Sequence, residues 1–481
     1  MKHLTPTLLA SATLALPAAT QGHVPLVPFE HTGDLFVSDS SNDNVVRLVD
    51  LDLNGDFNGP GEITVFYDED LGPQTLGNNN GLAFALDGAL YVSDTSEDQI
   101  FRLLDANGDG DCHDAGELTS FFDGDPLVNL SGLELVSPSR ITVDVLGRVW
   151  VAEANNGGGG IDSIVLLTDT NFDGDANDLG EAIRYYEPIT SGSTGDSIPN
   201  DVIVGADQRI YYIEGGATGV VPKDVYRLED LDGDGVIDPL TEVTTFFSPP
   251  AQPKTPFFWS LTQDGAGYFY TADSGNELVW RFRDENGDNV IDPVTEAVIW
   301  WQEASSLIWD LEGGSDGALY VCESQSPDRV LRLFDADGNG TVDPLTEVTA
   351  VYDEGLAVHD IANPRAMAFE RRPTLIASPT TTVGGTYAAT TLATVGDIVL
   401  TWWSGATSAP LPLAPFGELE LLPGAGSGLL YTGVVAASGT HDVLLPVPND
   451  ASLSGLTLFT QGFVGKPDRF QLGNLQATTI L

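Results

Sequence analysis

The chain has 481 residues, with 71 acids against 19 Lys and Arg and a formal net charge of −52. Such a field repels nucleic acid and anionic lipid and attracts cations, which excludes a DNA or RNA partner. At 42% hydrophobic and 9% aromatic, the chain still has a core-forming composition, with room for two or three domains, so it is not a disordered acidic tail.

The first stretch reads "MKHLTPTLLASATLALPAATQG". Lys2 precedes a short apolar run over residues 4–16, and Ala18 and Thr20 supply small residues before a cleavage point. The pattern predicts a secretory signal peptide over residues 1–22 and an extracellular, periplasmic or cell-surface protein. A membrane anchor is the weaker alternative, because the run carries Pro6 and falls short of about 18 apolar residues; no membrane span is expected elsewhere. Cys112 and Cys322 lie in different parts of different repeats and are expected to be free thiols.

Six similar units follow, among them "GDLFVSDSSNDNVVRLVDLDLNGDFNGPGEITVFYD" and "GALYVCESQSPDRVLRLFDADGNGTVDPLTEVTAVYD". Their acidic loops begin at Asp50, Asp105, Asp169, Asp230, Asp284 and Asp335, at spacings of 55, 64, 61, 54 and 51 residues. Each unit reads as four short strands: one of the type "GLAFALD", then "LYVSD", then "IFRLLD", and a last one after the acidic loop, "EVTAVYD". No helical periodicity interrupts them. Four-stranded units repeated at this period predict an all-β fold, a six-bladed β-propeller over residues 23–372. The first unit starts at its second strand, and a late inner-type strand, "NPRAMAFERR", is left to complete it, so that no sheet edge stays open.

The runs "LYVSDTSEDQIFRL", "LFVSDSSNDNVVRL" and "YTADSGNELVWRF" resemble the NHL-type propeller repeat, in which a strand ending in aspartate leads through a polar loop to an arginine. The resemblance implies a six-bladed fold and leaves activity open. Many such domains are binding platforms, whereas some relatives hydrolyse lactones, oxidise sugars or cleave amidated peptides. The third and fourth units depart from the pattern with "NNGGGG" and "GGATGVVP".

In "DADGNGTVDPLTE", oxygen-bearing side chains stand at positions 1, 3 and 5 (Asp335, Asp337, Asn339), with Gly340 at 6, Asp343 at 9 and Glu347 at 13. This is the ligand order of an EF-hand-like calcium loop, except that the glutamate falls at 13 rather than 12 and the flanks are strands. The other five loops offer Asp50, Asp52, Asn54, Asp56, Asn58 and Glu62; Asp105, Asn107, Asp109, Asp111, Asp114 and Glu117; Asp169, Asn171, Asp173, Asp175, Asp178 and Glu181; Asp230, Asp232, Asp234, Asp238 and Glu242; Asp284, Asn286, Asp288, Asp292 and Glu296. In the second loop His113 takes position 9, so Asp114 is expected to substitute, and in the fifth Asn289 replaces the glycine. Hard oxygen donors suit calcium better than zinc or magnesium. The plainer alternative is that such residues build tight turns by bonding their own backbone. These loops hold 27 of the 71 acids, however, and a like-charge pair at 4 Å costs about 4 kcal/mol at an effective dielectric of 20. Up to six calcium ions are therefore expected, stabilising the blades. Whether the position-13 glutamates ligate is left open by the sequence.

The acidic loops join third and fourth strands, and a ligand site is expected on the opposite face, at the mouth of the central channel. Candidates there are Glu153, Asn200, Asp310 and His359; the first three could form a centre of the kind found in gluconolactonase-type propellers, and His359 could act as a base. Asp39, Asp94, Glu153, Glu214, Asp273 and Glu323 close the second strands, and are better read as fasteners of each blade than as a metal cage. Trp259 and Trp309 are open to either a sugar-stacking or a core role. No G-x-S-x-G, H-E-x-x-H or P-loop motif occurs.

After residue 372 the composition turns to Thr, Gly, Ala and Leu. "DIVLTWWSG", "GELELLP", "GLLYTGVV", "HDVLLPVP" and "LTLFTQGF" predict a small β-sandwich over residues 373–481. Its stretch "LPVPNDASLSGLTLFTQGF" resembles the C-terminal domains of secreted planctomycete-type proteins, which leaves two roles open, docking to an envelope or partner and a plain structural module. The whole reads as a secreted, monomeric, calcium-binding platform for an extracellular protein or glycan. The alternative is an enzyme of lactonase, sugar dehydrogenase or lyase type, with its site in the channel.

Overall fold

Alternating apolar and polar residues bury one row of side chains per strand face, and five- to six-residue runs bounded by Gly, Asp and Pro have no length for anything else. The computed structural model describes residues 34–481 except 53, 86, 145, 155–160, 189–196, 216–222, 305–306, 315, 325, 372–373, 378–379, 393–397, 405–406, 413–417, 422–426, 435–439, 448, 450–452, 455 and 466–469. The expected signal peptide lies outside the described residues.

Six four-stranded antiparallel sheets form the blades. Five run in simple chain order from an inner strand outward, beginning at Asn79–Phe84, Pro138–Val143, Pro199–Val204, Phe258–Gln263 and Ile308–Gly313. The remaining sheet takes its inner strand, Pro364–Phe369, from the far end of the ring and pairs it with Leu35–Asp39. The late strand expected to complete the first blade does so. Each inner strand packs against those of the two neighbouring blades, and the sixth returns to the first, so the circle is closed. The chain is thus an all-β propeller, by its own sheet order.

Two features recur in every blade. The second position of the second strand is aromatic (Phe36, Tyr91, Trp150, Tyr211, Tyr270, Tyr320). In five blades it meets a ring of the outer strand (Phe66, Phe121, Tyr185, Phe246, Trp300) edge-on at 4.8–5.0 Å. The register between third and fourth strands also slips once in each blade, as at Val45/Val46 and Ile100/Phe101. That bulge adds twist to the outer strand.

Beyond the ring, Thr374–Ala377, Thr386–Leu392 and Thr440–Pro446 form one sheet. Thr380–Thr381, Phe470–Ile480, Thr457–Gly465, Ile398–Ser404 and Ser427–Val434 form a second. Tyr387 of the first packs against Tyr431 and Leu458 of the second and donates its hydroxyl to Thr460 at 3.2 Å. No helix of the described residues is long and apolar enough to cross a membrane.

Candidate metal loops and channel mouth

All six acidic loops share one backbone path. Position 1 accepts the amide of position 6 on one carboxylate oxygen at 2.8–3.0 Å. To aim that amide inward, position 6 takes φ between +68° and +102°, so it is glycine in five loops and Asn289 in the other. Positions 3 and 5 accept amides two residues on, as Asp232 does from Asp234 and Asp234 from Val236. Burial pushes the Asp169 carboxyl up against the pull of its amide donors, and Asp173 and Glu181 add to the rise.

The position-13 glutamate closes each loop. Its Oε1 accepts the amides of positions 2 and 3 at 2.7–3.3 Å, as in Glu242 from Leu231 and Asp232. Its Oε2 takes the amide of position 9 or 10. With two donors on Oε1 the group is chiefly a lock on the loop, and one oxygen keeps capacity for a cation.

The carboxylates do come together. Ligand atoms of Asp50, Asp52 and Glu62 lie within 4.8 Å of one another, as do those of Asp109, Asp111 and Glu117, of Asp230, Asp232 and Asp234, and of Asp335, Asp337 and Glu347. The third and fifth loops show no such group of three. Asp114 and Asp178, at position 10, accept the side-chain amides of Asn107 and Asn171 at position 3, each at 2.7 Å.

Sequence reasoning missed what sits between the acids. Position 8 is apolar in all six loops (Phe57, Cys112, Ala176, Ile237, Ile291, Val342), and all but Phe57 are at most 5% exposed. Its amide donates at 2.7–2.8 Å to an outer-strand carbonyl of the preceding blade: Val351, Phe66, Phe121, Tyr185, Phe246 and Trp300 respectively. Every loop is therefore a staple between two blades, and the six staples close a circle. The signal was present, since an apolar residue among acids at a fixed position demands a buried partner. Cys112 and Cys322 are both buried free thiols.

The six acids closing the second strands are 0–1% exposed. Asp39, Asp94, Glu153, Glu214 and Asp273 accept amides of Ala362, Gly77, Val136, Ile198 and Phe257, each on the segment entering the inner strand of its own blade. Glu323 pairs with Arg329. Glu153 is further occupied by Ser163 and, at 2.5 Å, by Arg184. Asn200 donates to the Phe258 carbonyl at 2.6 Å and its own carbonyl accepts Ser139, tying three inner strands. His359 is half-exposed in the loop before Pro364–Phe369.

Asp310 lies in the channel. It pairs with Arg140 at 2.9 Å and accepts Ser260, Leu311 and Met367. Arg140, from the third blade, crosses the axis to the carbonyls of Trp309 and Arg365 at 2.5 and 2.7 Å. It closes the channel beneath Trp309. Below it a cavity of about 110 Å³ is lined by Asp201, Asp310, Glu312 and Arg371. Burial, checked by Arg140 and reinforced by Asp310, lifts Asp201 to about 7, and burial raises Glu312 against the pull of Arg371. Above Arg140, Trp309 packs tilted against Trp259, ring centres 4.5 Å apart, and Trp259 against Phe257 at 4.9 Å.

No family model and no curated protein matches the chain. Among solved structures it is similar to virginiamycin B lyase from Staphylococcus aureus, at 16% identity and a TM-score of 0.42 over 71% of this chain and 93% of that one. It is also similar to a candidate 6-phosphogluconolactonase from Bacteroides uniformis, at 14% and 0.42 over 65% and 81%. A calcium-binding regucalcin from Agrobacterium tumefaciens aligns at 15% and 0.35 over 55% and 72%.

Proposed function

We propose that this chain is an exported propeller whose blades are pinned by calcium and which presents its opposite face, as a platform, to an extracellular protein or glycan. The observation that carries this reading is the coincidence of two roles in one loop. Each acidic segment gathers hard oxygen donors, and the same segment staples its blade to the one before. A cation that neutralises the loop acts on the whole circle. Asp, Asn and carbonyl oxygens at alternate positions fit calcium, and the lone pairs not used by backbone amides remain for it. Extracellular calcium modules have dissociation constants of roughly 10⁻⁴ to 10⁻³ M, which suits a protein outside the cell.

The mouth bears on the enzyme alternative. Glu153, Asn200 and Asp310 are each engaged with separate protein partners rather than converging on one point, and Arg140 crosses the channel below the tryptophans. That arrangement supports a platform over a catalytic channel. The test is ion content by native mass spectrometry with and without chelator, paired with melting. Bound calcium together with a large drop in Tm on chelation supports the reading. No bound ion, or equal melting temperatures, removes it.

A further inference from the structure

Cations are scarce in this protein, and most described arginines are matched to a carboxylate, as Arg47 is to Asp34, Arg102 to Asp87, Arg184 to Glu153 and Arg332 to Asp316. Arg365 at the channel mouth is different. Its Nε donates to the Asn363 side chain at 3.2 Å and its guanidinium lies over Trp309 at 3.7 Å. Among the described residues its two terminal nitrogens have neither an acid nor a hydrogen-bond partner. A second guanidinium, that of Arg140, donates to the Arg365 backbone carbonyl. Burial, and then Arg140, raise the cost of the charge that Arg365 carries, and an arriving anion would offset that cost.

Beside this fork runs an aromatic shelf. Trp309, Trp259 and Phe257 follow one another around the mouth, all half-buried, and Lys223 sits over Phe257 at 4.9 Å. An aromatic plane next to a fixed bidentate donor is what a sugar with one acidic substituent needs: carbon-bound hydrogens of the ring lie on the indole, and the planar fork takes two oxygens. The surrounding −52 field repels a polyanion, so the ligand carries its charge singly. We propose that the mouth binds a sugar bearing one anionic group, a uronate carboxylate or a sulfate ester, held by Arg365 with the ring against Trp259. This rests on the platform reading and names its ligand class.

The test uses the full, calcium-loaded chain, with tryptophan fluorescence and calorimetric titration. The probes are a disaccharide ending in glucuronic acid, its counterpart ending in glucose 6-sulfate, and the neutral glucose counterpart. Either acidic probe is expected to bind at least tenfold tighter than the neutral one, and the two arms tell carboxylate from sulfate. Arg365→Gln should erase that preference, Arg365→Lys should keep part of it, and Trp259→Ala should weaken every probe. Should Arg365→Gln melt early, Arg365→Lys and Trp259→Phe carry the comparison. Equal binding of neutral and acidic probes overturns the proposal. So does a charge preference that survives Arg365→Gln in a variant of unchanged Tm, or a mouth that takes a protein but none of the sugars. Calcium-dependent melting judges the platform separately, and no sugar result alters it.

Discussion

The first three acidic loops and the last three follow one pattern yet spend position 9 differently. In loops one to three it is Asn58, His113 and Asn177, and each accepts an outer-strand amide of the preceding blade, from Asp353, Asp68 and Asp123, at 3.0–3.1 Å. His113 can do so because Nε2 accepts while Nδ1 faces Asp111 at 2.9 Å. In loops four to six position 9 is Asp238, Asp292 and Asp343, each followed by proline, and each carboxylate accepts the amide of position 11 at 2.8 Å. One half of the ring thus uses an Asn or His side chain as a second inter-blade bond. The other half keeps a carboxylate for its own loop. The difference teaches that an acidic loop is a gathering of oxygen donors and a joint at once, and that one residue cannot serve fully as both.

The largest effect should come from removing the ion from both halves together. At calcium 10 to 100 times the dissociation constant, one site contributes about 1.4–2.7 kcal/mol, and six sites about 8–16 kcal/mol. For a ring of this size that is a fall in Tm of roughly 10–20 °C on chelation, measured by calorimetry. A fall confined to a few degrees would mean that the amide bonds alone hold the loops.

Cutting a lock comes next. Glu117→Ala leaves the amides of Ala106, Asn107 and Asp114 without their acceptor and should cost about 3 kcal/mol, read by denaturant unfolding. Ile291→Ala keeps the staple's amide bond but empties its buried side-chain site in the other half, and should cost about 2–4 kcal/mol. Leu240→Ala, at a side chain 79% exposed, should cost nothing measurable.

Position 9 then separates the halves. Asp343→Ala should reduce the ion count by one in native mass spectrometry. Asn177→Ala should leave the count unchanged and cost about 1–2 kcal/mol of stability through the lost bond to Asp123. The opposite pattern would reverse the assignment of roles.

The smallest effect is on pH. Asp201, buried and lifted from 3.8 to about 7, holds a proton in the folded state that the unfolded chain releases. Its contribution is therefore greatest at low pH and is lost as pH rises from about 4 to about 7. In chelator the Tm should drift downward over that range.

Much of this was legible beforehand. Six alternating units gave the blades, the orphan strand 364–369 gave the closure, and Asn289 was recognisable as a glycine substitute because asparagine tolerates positive φ. These are local matters, decided within a few residues. Legibility failed where two blades meet. Nothing near Val342 names the Trp300 carbonyl, and nothing near Arg140 names Trp309 or Arg365, which lie 169 and 225 residues away. Asp201 could be placed at the entry to its inner strand, but its character, like that of Glu312, could not be read, because burial gives it.

By itself, then, the sequence determined the strand repeat, the turn at each position 6 and the ring of oxygen donors, since hydrophobic period and backbone sterics act between neighbours in the chain. Only the tertiary structure decided that position 8 is a staple, that position 13 is a lock, and that Arg140 closes the channel while Arg365 keeps its fork. Those depend on which carbonyls and charges the closed circle brings within hydrogen-bond reach, and packing sets that distance.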